Sequence, residues 1–101
     1  MQRRSARAHY RQRTIGSFGS GAGQFNYPFG VAFDGAGHIV VADRGNNRLQ
    51  VLRYSDGCHV RTIGSEGSGN GQFDRPYGVL IDGQGRLIVS KYLNHRIQVL
   101  Q

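Results

Sequence analysis

The chain has 101 residues, 16 of them glycine, with no tryptophan, one cysteine and a formal net charge of +7. That leaves room for one small domain burying about two-thirds of its unfolded surface. It excludes an internal disulfide framework, and no apolar run approaches the roughly 18–20 residues of a membrane helix.

The charge is lopsided. Arg3, Arg4, Arg7, Arg11 and Arg13 stand at the start of the chain without an acid, and they supply +5 of the +7. Residues 1–12 show no hydrophobic period and are expected to form a disordered basic tail. Three readings fit it: a solvated leader or linker remnant; a cationic arm on nucleic acid or an acidic partner, since clustered arginine neutralises phosphate; and an Arg-rich, acid-free organellar transit peptide, for which it is short. The lone Cys58 suits a reducing compartment, so a cytoplasmic location is expected unless the tail is a transit peptide.

From Arg13 onward the chain repeats itself. Arg13-Thr14-Ile15-Gly16-Ser17 returns 48 residues later as Arg61-Thr62-Ile63-Gly64-Ser65, and 23 of the 41 aligned pairs are identical. A fixed period of this length signals a repeat architecture whose units need neighbours to bury their faces. A Gly-rich connector, residues 16–30, comes first, and Phe25 is expected to plug it into the core. Its Gly19-Ser20-Gly21-Ala22-Gly23 run lacks the Gly-Lys-Ser/Thr ending and the following helix of a phosphate loop.

Strands follow at 31–34, 38–42, 48–53 and 59–63, separated by Asp/Gly turns. The third and fourth alternate polar and apolar as half-buried strands do. This is an antiparallel meander, with its first strands expected deep and its fourth at the rim. The second connector, residues 64–78, carries Phe73 and Pro76. Val79 then opens the second copy, which supplies three strands.

The pattern Gln24-Phe25, Pro28, Gly30-Val31, Asp34, Gly37, Ile39, Val41-Ala42-Asp43, Asn46, Arg48-Leu49-Gln50-Val51 resembles the NHL repeat. The second copy matches at Gln72-Phe73, Pro76, Gly78-Val79, Asp82, Gly85, Leu87, Val89, Asn94 and Arg96-Ile97-Gln98-Val99. The resemblance implies an all-β, NHL-type β-propeller whose blades are four-stranded antiparallel meanders, commonly six around a channel. One turn departs from the pattern: Ala42-Asp43 becomes Ser90-Lys91, and Asn47 becomes His95. Asp43 is expected to close its turn by accepting backbone hydrogen bonds; Lys91 cannot accept, so that turn is either remade or turned to binding.

The organisation expected is a tail, 1–12, and a two-blade segment, 13–101. The complete blade spans 31–63, and the second, 79–101, lacks a fourth strand, which residues 11–17 of a neighbouring chain would supply. Two blades cannot close a ring. Three chains would make six blades as a homotrimer; alternatively the chain is a fragment of a longer propeller.

Loop order places the connectors and the turns between the second and third strands of each unit on one face. The candidate binding residues there are Tyr27, Phe29, Arg44, Asn47, Arg75, Tyr77, Lys91, Tyr92 and His95, with the arginine tail as an accessory. Cations among aromatics hold unpaired bases and also anchor protein interfaces. The family resemblance implies scaffold modules that bind proteins or RNA, found beside ubiquitin-ligase domains and some kinases, with one peptide-amidating lyase branch. One cysteine and the scattered His9, His38, His59 and His95 build no RING-type zinc site, so no ligase activity, cofactor, metal or catalytic residue is expected. The reading is a non-catalytic module for a protein partner; the alternatives are single-stranded RNA binding and a purely architectural or designed self-assembling segment.

Overall fold

The computed structural model describes residues 12–91 and 95–101. Arg3, Arg4, Arg7 and Arg11 of the tail, and Tyr92 of the candidate site, lie outside the described residues. Strands β1 (Pro28–Phe33), β2 (His38–Asp43), β3 (Arg48–Arg53) and β4 (His59–Ile63) form one antiparallel meander in sequence order. A short parallel pair, β5 (Ser65–Glu66) and β6 (Gln72–Phe73), shapes the second connector. Strands β7 (Pro76–Ile81), β8 (Leu87–Lys91) and β9 (Arg96–Leu100) form a second antiparallel meander of three strands. The chain is all-β, built of propeller-type blades.

Both inner strands open on proline, three residues before the starts read from the sequence. Pro28 pairs with Asp43 and Pro76 with Lys91, then each ladder slips before Val31 and Val79. The slip falls at Phe29-Gly30 and Tyr77-Gly78. A side chain at Gly30 would meet the Tyr77 carbonyl oxygen at 2.7 Å, so glycine is what lets β1 approach β7.

Strand alternation sorts each blade into two faces. On the back of the first blade, Ala32, Val40 and Val51 lie in a row across β1, β2 and β3, beside Ala42, Leu49 and Ile63. They pack against Val79, Ile81, Leu87, Val89 and Leu100 on the front of the second blade, with Phe73 fully buried between. Each such aliphatic side chain contributes about 1.5–3 kcal/mol when fully buried. On the front of the first blade a smaller cluster, Val41 and Leu52 with Ile39, is covered by Phe25 and Ile15. Both connector phenylalanines thus plug into apolar clusters, as the sequence predicts.

One expectation needs correcting. β1 is not deep: Phe29, Val31 and Phe33 are exposed, and β2 and β3 hold the core instead. The front face that Val31 and Phe33 belong to meets no second sheet among the described residues. Segment 12–17 forms no strand; Arg13 donates to the Tyr54 and Ser55 carbonyl oxygens, and Ile15 lies on the front cluster.

The turns are tied by aspartates. Asp34 Oδ1 accepts from the Ala36 and His38 amides, and Asp82 Oδ1 from those of Gln84 and Arg86. Burial pushes the Asp34 carboxyl up, but those amides and the His38 ring outweigh it and leave it below its ordinary value. The backbone amide and guanidinium of Arg86 lower Asp82 likewise.

A candidate binding face between the blades

Asp43 organises this end of the molecule. It is fully buried and accepts from the Asn26 amide at 2.8 Å, Asn46 Nδ2 at 2.9 Å, Arg48 Nε at 2.8 Å and Gln50 Nε2 at 3.0 Å. The sequence reading had Asp43 closing its own turn; the backbone amide it captures belongs to the connector instead. Arg48 also donates to the carbonyls of Ser20, Gly21 and Gln24, and Gln50 bridges the Gly23 amide and the Gln24 carbonyl. Connector and β2–β3 turn are therefore one unit, and its rim presents Tyr27, Arg44 and Asn47.

The same rim is stitched to the second blade. The Arg75 amide of the second connector donates to Asn47 Oδ1 at 2.8 Å, while within the first unit the Gly45 amide ties the turn to the Asn26 carbonyl at 2.7 Å. Between them lies a cleft of about 450 Å³ lined by Asn26, Tyr27, Arg44, Asn47, Glu66, Asp74 and Arg75, with Gly45 in its wall. Four sequence-predicted residues, Tyr27, Arg44, Asn47 and Arg75, thus converge. Beside the cleft, Phe29 and Tyr77 stack with centroids 3.9 Å apart, and the Arg44 guanidinium lies 5.9 Å above the Tyr77 ring.

Tyr27, Asn47, Arg75 and His95 all have positive φ, between 52° and 60°. They form two pairs related by the repeat, and all four are candidate residues. Left-handed backbone is uncommon in non-glycine residues and concentrates where a site over-determines the chain.

Two candidates behave differently. His95 is exposed but does not line the cleft. Lys91, read as part of an exposed basic loop, is corrected: it is only 2 % exposed. It occupies the place of Asp43 one repeat on, pointing inward, with its ammonium 5.8 Å from the Phe73 ring centre and no hydrogen-bond partner among the described residues. Burial pushes its pKa down, Arg96 adds to this, and Asp74 opposes it. Its neighbour Gln98 still bridges the Gly71 amide and the Gln72 carbonyl, as Gln50 does in the first copy.

Glu66 was missed as a candidate. The signal for it was a break in the repeat, since Phe18 stands at the equivalent position. Glu66 and Asp74 give the cleft both charge signs. Among the described residues no three His, Cys, Asp or Glu side chains cluster as a metal site would require.

Residues 25–52, from the connector phenylalanine to the last but one residue of β3, match the NHL repeat family. That stretch reads as one NHL repeat. Among curated proteins, the chain is 49 % identical over 46 residues to E3 ubiquitin-protein ligase TRIM71 of Rattus norvegicus, a stretch covering 46 % of the chain and 5 % of that protein. It is 47 % identical over 38 residues to protein lin-41 of Caenorhabditis elegans, covering 38 % and 3 %. It is 48 % identical over 42 residues to human NHL repeat-containing protein 3, covering 42 % and 12 %. The similarity therefore spans a small part of each relative's length.

Proposed function

We propose that this NHL chain is a non-catalytic module that engages a protein partner through the cleft between its blades. The observation that carries the reading is the cleft's mixed lining: Arg44 and Arg75 face the same space as Glu66 and Asp74, beside a Tyr27 that is 75 % exposed. Opposed charges around an exposed aromatic suit a polypeptide with both signs, and complementary charge then sets specificity. A polyanion would meet two carboxylates in the same cleft. A matched NHL repeat, with likeness to only 5 % of a ubiquitin ligase, supports a reading of recognition rather than transfer chemistry.

The test is selection of displayed peptides on the chain, followed by titration of the best binder onto an Arg44→Glu/Arg75→Glu variant. Affinity is expected to fall by about tenfold or more, with the β-sheet circular dichroism unchanged. Undiminished affinity would remove the cleft as the binding site.

Single-stranded RNA is a second reading, favoured by the Phe29–Tyr77 stack with Arg44 above it. Under that reading, affinity for a labelled oligouridylate falls steeply between low and physiological salt. Removing residues 1–12, with their arginines, weakens RNA more than peptide. Weak, salt-insensitive RNA binding would leave the protein reading alone.

A further inference from the structure

The donors that surround Asp43 recur one repeat on, but their acceptor does not. In the first copy the Asn26 amide, Arg48 Nε and Gln50 Nε2 all donate to the Asp43 carboxylate. The same positions of the second copy hold Asp74, Arg96 and Gln98, and the acceptor has become Lys91. The strands still bring the pair together. Lys91 lies directly opposite Arg96 across β8 and β9, as Asp43 lies opposite Arg48 across β2 and β3. The Arg96 guanidinium still rests on its connector, donating to the Ser68 carbonyl at 3.0 Å as Arg48 does to that of Ser20.

The outcome is a concentration of unmatched positive charge. Lys91 is 2 % exposed, and its ammonium has no hydrogen-bond partner among the described residues. Burial disfavours that charge, and Arg96 is near enough to disfavour it further. Gln98 Nε2 spans 3.5 Å to the Gly69 carbonyl, where Gln50 Nε2 reaches Asp43 at 3.0 Å. Asp74 opposes Arg96 in its effect on Lys91, yet it also lines the cleft between the blades. An unpaired ammonium in a poorly polarisable interior is costly until an opposite charge joins it. The same interior strengthens the attraction once that charge arrives.

We propose that the second copy takes up a small free anion, chloride or a carboxylate no larger than formate, held by the Lys91 ammonium, the Arg96 guanidinium and the Asp74 amide. The anion stands in for the Asp43 carboxylate and gives the donors back their acceptor. The burial of Lys91 sets the size limit, because a bulky anion cannot reach an ammonium covered to this degree. Binding also ties the second connector to β8 through the Asp74 amide, the join that Asp43 makes to the first connector. Asp74 and Arg75 line the cleft, so the anion steadies one of its walls.

The test is urea unfolding of the 101-residue chain, with chloride or formate exchanged for a bulky sulfonate (MES) at constant ionic strength. The folding constant of the parent is expected to rise about tenfold for each tenfold rise in anion above its Kd. Lys91→Asp returns the acceptor to the chain, so its stability is expected to be indifferent to the exchange. A parent equally indifferent overturns the site. A parent and variant that respond alike also overturn it, because the ions would then be acting on the surface at large. Binding is read directly from the chloride NMR line. It is expected to broaden with the parent, to sharpen when formate is added, and to stay narrow with Lys91→Asp. Should Lys91→Asp fail to fold, Arg96→Gln, which changes an exposed side chain, takes its place. It is expected to narrow the line, and a line as broad as that of the parent would overturn the site.

Discussion

Asp43 and Lys91 occupy one position of the repeat and carry opposite charge. Asp43 collects four donors, so its burial is matched by hydrogen bonds and by Arg48 at 2.8 Å. Lys91 brings an ammonium to the same depth without one acceptor among the described residues. An unsatisfied buried polar group costs about 1–3 kcal/mol, so Lys91→Met, which keeps the stem and removes the charge, is expected to raise stability by that order in urea unfolding. The pH dependence has a definite sign. Burial, with Arg96 adding, lowers the folded-state pKa of Lys91 below its unfolded value near 10.5. Between those two values the unfolded chain holds more protons, so parent stability rises with pH across that window. Below the folded pKa the penalty is full and constant. The Met variant is expected to lose this rise; an unchanged slope would show that Lys91 keeps its ordinary pKa.

The connectors are set by close approach between glycine backbone and phenylalanine ring. Gly64 has φ +85°, and a side chain there would overlap the Phe73 ring in the middle of the interblade core. Gly64→Ala is therefore expected to destabilise by about 1–3 kcal/mol, from left-handed strain and overpacking together. Ala at Gly35, which is also left-handed but has open space around it, carries the strain without the overlap and is expected to cost less. Equal urea midpoints for the two would remove Phe73 as the reason for the glycine. The strands and plugging phenylalanines were legible because alternation and the 48-residue period state them directly. The convergence of Tyr27, Arg44, Asn47 and Arg75 was legible because loop order around a meander fixes which turns share a face. Three things were not. The early starts of β1 and β7 depend on a bulge that only blade-to-blade approach requires. The exposure of β1 depends on which faces find a neighbour. The depth of Lys91 was hidden because its charge argued for solvent, while its repeat position, equivalent to buried Asp43, argued for the core and prevailed.

A two-blade segment buries one sheet-to-sheet contact and leaves two of its four blade faces without a facing sheet among the described residues. Repeat units draw much of their stability from interfaces with neighbours, and the interface described here is the core of Val40, Leu49, Phe73, Val79 and Val89. Phe73 is fully buried within it, so Phe73→Ala is expected to cost about 3–5 kcal/mol in urea unfolding. Phe25 covers only the smaller front cluster of the first blade, and Phe25→Ala is expected to cost less. Equal losses for the two would mean that the contact between the blades contributes no more to stability than the plug on the open face of the first.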